Sequence, residues 1–137
     1  MHIYERVLKK IIGTVGQLPA ESGGIIAFDD FGDIVDFYYD KTAITYKAQY
    51  IPNKEAINHQ VNEVWSRLGY RFAGIVHSHP LNASNKPSKQ DILMAKRIIQ
   101  HNNLDGIFLW IVQNEVIIPW WVTSDNQLFF CELDIIK

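Results

Sequence analysis

His77-Ser78-His79-Pro80, followed by Ser88 and Asp91, are the residues of this chain best suited to chemistry. On an extended strand, side chains at i and i+2 point the same way, so His77 and His79 can face one point. The run Arg71-Phe72-Ala73-Gly74-Ile75-Val76 before them reads as a buried strand. Pro80 holds His79 in an extended conformation and offers no N–H, so the strand should end there. Ser88 opens what reads as a helix, and Asp91 sits on its first turn, from which a carboxylate can swing back toward the strand end. Two imidazoles and one carboxylate make three protein ligands, the number a catalytic zinc takes when its fourth position is kept for water. A plainer description also fits these residues. A His-x-His at a strand end equally describes two ordinary hydrogen-bonded histidines. Ser-x-x-Asp is ordinary capping chemistry, with Ser88 as N-cap and Asp91 at the positive end of the helix dipole.

Upstream, Glu21 precedes Ser22-Gly23-Gly24 and the run Ile25-Ile26-Ala27-Phe28, which reads as a strand. A carboxylate ahead of two glycines stands where other backbone can approach closely, which makes Glu21 a candidate general base. Its plainer reading is a solvated loop residue. Glu, then His-Ser-His-Pro, then Ser-x-x-Asp, in that order, resembles the JAMM motif of the MPN metalloprotease family, and the likeness runs over residues 3–133. The resemblance implies that His77, His79 and Asp91 bind zinc, that Glu21 polarises the water on it, and that Ser88 helps hold the tetrahedral intermediate. One departure lies between His79 and Ser88. Eight residues, Pro80 to Pro87, separate them, one more than the family's usual spacing, and the extra residue falls in the polar loop Asn82-Ala83-Ser84-Asn85-Lys86.

The resemblance also implies hydrolysis of an amide or isopeptide bond at the C-terminal tail of a ubiquitin-like or sulfur-carrier protein. It implies an α+β fold, cytidine-deaminase-like, with a curved and mostly antiparallel central sheet and helices packed on it. Larger deubiquitinating relatives use insertions to hold ubiquitin. This chain has no long insertion around the motif, so the likeness is to a small prokaryotic-type member. The competing expectation is a non-catalytic scaffold or binding module. Relatives of that kind have usually lost motif residues, whereas all five positions are present here.

The elements that must position these residues follow from periodicity. Residues 4–14 read as an amphipathic helix with Val7, Leu8, Ile11 and Ile12 in one stripe, ended by Gly13, Gly16 and Pro19. Residues 22–28 and 33–39 read as a hairpin around Asp29-Asp30-Phe31-Gly32, and 44–51 as a third, weaker strand. A helix over 54–68, ending at Gly69, carries Ile57, Val61, Val64, Trp65 and Leu68 at helical spacing. The motif strand covers 72–79 and a second long helix 88–101, followed by strands at 106–112, 116–122 and 127–133. Strands and helices mix without strict alternation, which favours α+β over a doubly wound sheet. Trp120 and Trp121 cannot both face inward on a regular strand, so one of them is expected at the surface. Ser78 should point away from the two histidines, into packing or a hydrogen bond. The strands that start after Glu21 and end at His79 are expected to offer backbone to an extended substrate tail by β-augmentation.

With 137 residues and a net charge of −2, the chain is expected to be one domain over 1–137. It has no run of Lys or Arg and no basic stripe, which argues against nucleic acid as a partner. Its one cysteine, Cys131, excludes an intrachain disulfide and fits a reducing compartment. There is no apolar signal core at the start and no stretch approaching ~18 apolar residues, so the expected location is the cytoplasm, away from membranes. His2, His59 and His101 stand outside any motif.

Overall fold

The first strand, β1 (His2–Tyr4), runs directly into helix α1 (Glu5–Gly13). Glu5 in the first turn and Lys10 in the last complement the helix dipole, and Lys9 pairs with Glu5 one turn back at 3.0 Å. Val7 and Ile11 are buried, each contributing roughly 1.5–3 kcal/mol by burial. After Gly13 the Thr14 hydroxyl donates to the Lys10 carbonyl, and a 3₁₀ turn (Val15–Gln17) follows. The computed structural model describes residues 1–18, 21–46 and 49–137, so Pro19, expected among the helix breakers, lies outside the described residues. Strands β2 (Gly23–Phe28) and β3 (Ile34–Tyr39) form the expected hairpin.

The expected strand over 44–51 differs from the structure. It is a small separate hairpin, β4 (Ile44–Tyr46) against β5 (Gln49–Ile51), with 47 and 48 outside the described residues. Helix α2 covers 54–68 as expected, α-helical at Lys54–His59 and Ser66–Leu68 but π-helical at Gln60–Trp65. Its π segment ends on Trp65, which is fully buried and donates its indole N–H to Asp36 at 2.8 Å. Gly69, left-handed at φ 75, ends the helix. Then come β6 (Arg71–Ser78), α3 (Lys89–His101), β7 (Gly106–Gln113), β8 (Val116–Thr123), β9 (Leu128–Phe130) and β10 (Asp134–Ile136). Strands β1 and β10 were not expected, because three residues are too short to show a period.

Among the described residues the main sheet has eight strands in the order β10-β1-β3-β2-β6-β7-β8-β9. Four of its pairings are antiparallel and three parallel, which makes it a mixed sheet with an antiparallel majority. Laid flat, eight strands would separate β9 from β10 by roughly 34 Å. The link between them, residues 131–133, can span at most about 14 Å. The sheet therefore curls, and Cys131 and Leu133 pack into the core that α1 covers. The other face carries a second core with Trp65 of α2 and Ala95 and Ile99 of α3.

A bulge in β6 decides which core the motif faces. Opposite β2 the register slips between Ile26 and Ala27, where Gly74 faces Ile26 and Phe72 faces Ala27. The extra residue reverses the alternation of side chains. Phe72 packs on the α2–α3 side and Ala73 on the α1 side, yet Ile75 returns to the α2–α3 side and Val76 to the α1 side. His77, two residues beyond Ile75, thus points toward α3; without the slip it would point toward α1. The slip needs glycine, since a Cβ at position 74 would lie 2.1 Å from the Phe108 carbonyl oxygen.

The tryptophans face opposite ways as expected, but neither is exposed, and both are half-buried. Trp121 packs on Phe108 in the α1-side core at 4.7 Å between ring centres, and Trp120 faces the other way against Phe130 at 5.6 Å. The expected β-augmentation along the motif strands is overturned. β2 lies between β3 and β6, and β6 between β2 and β7, so neither has a free edge. Among the described residues no helix is long and apolar enough to cross a membrane.

Candidate active site

The β2–β6 pairing continues past the start of β2. The Glu21 N–H donates to the Ser78 carbonyl at 3.0 Å and the Ser78 N–H to the Ser22 carbonyl at 2.8 Å. This brings Glu21 alongside the end of β6, with its side chain buried and its backbone at φ 70, a conformation rare for a non-glycine residue. Ser78 faces away from the histidines, and its hydroxyl meets the Ser22 backbone at 3.2–3.4 Å. His79 stays in the ladder through its N–H to the Val112 carbonyl at 3.0 Å, and its ring stands 4.8 Å from that of His77.

From α3, Asp91 reaches both rings. Its Oδ1 is 3.2 Å from His77 Nε2 and its Oδ2 is 3.3 Å from His79 Nε2. Ser88 and Asp91 form a reciprocal cap. The Ser88 hydroxyl accepts the Asp91 N–H at 3.1 Å, and Asp91 Oδ2 accepts the Ser88 N–H at 2.8 Å. The capping role and the contact with the histidines therefore coexist on one carboxylate. On the other side of His77, Glu21 Oε2 is 3.3 Å from Nδ1. Glu21, His77, His79, Ser88 and Asp91, separated by up to 70 positions in the sequence, are thus gathered at one place, beside a cleft of about 230 Å³.

The histidines are prepared for a cation. The His79 Nδ1 faces the Ser84 carbonyl at 2.9 Å. Nε2 faces the Asp91 carboxylate at 3.3 Å, so the ring stands between two acceptors and a proton is favoured on either nitrogen until a metal ion takes the place of the one on Nε2. Burial works to lower the pKa of His77, but Asp91 and Glu21 outweigh it and raise it to about 9. His79 is raised in the same way against its burial, by Asp91 and the Ser84 carbonyl. Burial pushes the Asp91 pKa up, and the two histidines more than reverse this, holding it well below the usual carboxylate range.

A metal ion fits these residues. Both ring nitrogens of His77 are buried without a hydrogen bond, because the nearby carboxylate oxygens lie off the line of either nitrogen. Such a group costs about 1–3 kcal/mol when left unsatisfied. Glu21, His77 and His79 offer ligand atoms within 4.8 Å of one another, close enough to hold a metal ion. The Asp91 contacts are tighter. Four ligands at tetrahedral bonds of about 2.0–2.1 Å stand roughly 3.3 Å apart, which is the spacing of Asp91 from both Nε2 atoms.

The longer loop between His79 and Ser88 is anchored. Gln113 Nε2 donates to the Pro80 and Ala83 carbonyls, each at 2.8 Å, and the Trp120 indole donates to the Asn85 carbonyl at 2.9 Å. Ser84, Gln113 and Trp120 support the site without any signal in the sequence, since each acts through backbone atoms of a loop. His2, His59 and His101, outside any motif, lie on the surface.

The sequence profile described as prokaryotic homologs of the JAB domain matches residues 6–123. The chain belongs to this family. No curated protein matches the sequence. Among solved structures, this JAB domain is similar to a Desulfitobacterium hafniense protein solved in solution, with a TM-score of 0.74 and 15% identity over 100% of this chain and 94% of the other. It is also similar to a JAB1/MPN domain protein from Archaeoglobus fulgidus, with a TM-score of 0.57 and 14% identity over the whole of both chains. The curled mixed sheet with three helices is thus a JAB1/MPN fold.

Proposed function

We propose that this JAB domain is a zinc-dependent metallo(iso)peptidase that cleaves at the C-terminal tail of a ubiquitin-like or sulfur-carrier protein. The observation that carries this reading is the convergence of His77, His79 and Asp91 beside buried Glu21, next to a cleft lined by Glu21, His79, Ser88 and Asp91. His77 and His79, each through Nε2, and the Asp91 carboxylate are the residues that would hold the ion. A zinc ion held there supplies Lewis acidity, polarising a carbonyl and bringing the pKa of water toward ~7.

Glu21 handles the proton. It approaches His77 from the nitrogen opposite Asp91, and with the ion held through Nε2 its carboxylate is left for the water. Its carboxylate takes a proton from the attacking water and passes it to the leaving nitrogen. Ser88 Oγ already accepts the Asp91 N–H, and its own proton can be given to the developing oxyanion. Losing one such donor typically costs ~10²–10³ in rate.

A substrate must reach this point in extended form, and a flexible protein tail has that shape. Because β2 and β6 are each paired on both sides, the tail lies across their ends rather than along them. A terminal glycine suits the site because its missing side chain lets the scissile carbonyl enter between Glu21 and Ser88. The test is a panel of amide adducts of a ubiquitin-like tail, one with the terminal glycine replaced by valine, beside casein. Cleavage directly after the glycine, with little cutting of casein, is expected. Equal cutting of casein would indicate a general peptidase, and binding of the tails without any cutting would indicate a scaffold.

A further inference from the structure

The geometry points to Tyr50 as a positioning residue for the metal centre: its ring fixes the plane of His77, and the buried Asp40 fixes the ring. This rests on the reading of His77 as a metal ligand. Tyr50 lies on β5, outside the motif, and is almost fully buried. Its ring is stacked on the His77 imidazole with centres 6.1 Å apart and planes 19° from parallel, within the range of ring–ring contacts. Its hydroxyl donates to Asp40 Oδ2 at 2.8 Å, and the same oxygen accepts the Asn53 N–H at 2.9 Å.

Two further observations favour a purpose for this arrangement. Asp40 is 2% exposed, and its second oxygen has no hydrogen-bond partner. A dry carboxylate is costly unless its charge holds something in place, and here it holds Tyr50 and the entry to α2. Gly23 also lies where His77 and Tyr50 meet. A Cβ there would stand 3.0 Å from His77 Cβ and 3.0 Å from Tyr50 Cε2. The missing side chain leaves room for the phenol ring to reach the imidazole. Asp91 and Glu21 approach the two ring nitrogens of His77 at 3.2 and 3.3 Å without hydrogen-bond alignment, so packing from Tyr50 adds what they lack in fixing the plane.

The test is titration of the metal-stripped full chain with cobalt(II), read by affinity and by the d–d absorption bands, which report ligand geometry. The unsubstituted chain should bind one cobalt per chain with the strong bands of four-coordinate metal. Tyr50→Leu should bind about 10–100-fold more weakly, the range for losing a group that orients a ligand, with shifted bands. Tyr50→Phe keeps the ring and loses the anchor, so it should retain the band shape at about tenfold weaker binding. Folded Tyr50→Leu with unchanged affinity and bands would overturn the inference. If Tyr50→Leu fails to fold, Tyr50→Phe decides: weaker binding supports the inference and unchanged binding overturns it. Failure of the unsubstituted chain to bind cobalt would instead overturn the metal centre itself, and this inference with it.

Discussion

In the metal-free chain at neutral pH, His77 holds a proton because Asp91 and Glu21 raise its pKa from 6.5 to about 9. A pKa raised by folding adds stability that is complete below about 6.5 and is lost as pH rises through about 9. Melting of the metal-stripped protein should therefore drop over that window. The same proton competes with a metal for the imidazole, so apparent zinc affinity should rise across it. A flat melting temperature from pH 6 to pH 9.5 without metal would contradict the burial of His77 between two carboxylates. His77, His79, Ser88 and Asp91 were legible in the sequence because their spacing is local, whereas Glu21, far upstream, took its role from the family likeness. Ser88→Ala should cost about 1 kcal/mol as a lost cap, measurable by denaturation, as well as rate. Tyr50, Asp40 and Ser84 were not legible. Tyr50 and Ser84 meet the histidines, and Asp40 meets Tyr50, only through tertiary packing, and no periodicity marks them.

Helices and long strands followed their hydrophobic periods, and 54–68 and 88–101 lie where expected, to within a residue. What the period could not show was the β6 bulge, because a slip of one residue leaves an apolar run apolar on both faces. Yet the bulge aims His77 at Asp91. Gly74→Ala would drive a Cβ to 2.1 Å from the Phe108 carbonyl oxygen. It should destabilise the fold by about 3 kcal/mol or more, read from denaturant unfolding, and lower metal occupancy in whatever protein remains. The loop between His79 and Ser88 gives a gentler case. Trp120→Phe keeps an aromatic ring against Phe130 and removes the hydrogen bond to Asn85. Zinc content should stay at the level of the unsubstituted chain while hydrolysis falls severalfold. A loss of zinc in that variant would mean that the loop, and not only the ligands, holds the metal.

Across the whole molecule, two cores on opposite faces of one curled sheet hold α1 and the α2–α3 pair apart, and the site lies where the second core meets the ends of β2 and β6. The curl was expected from the strongly apolar strands and from the family likeness. Its physical cause, the short link between edge strands β9 and β10, depends on a pairing of first and last strands that no local pattern reveals. The central claim is hydrolysis that needs both the metal held by this fold and the carboxylate beside it. The most direct measurement follows cleavage of a glycine-tailed amide adduct by the chain stripped of metal, then refilled with zinc, next to Glu21→Gln treated identically. The stripped chain should be inactive, and about one zinc per chain should restore it. Glu21→Gln should take up the same zinc yet remain at least ~10²-fold slower. Full activity in the stripped chain, or in zinc-loaded Glu21→Gln, would contradict the assignment.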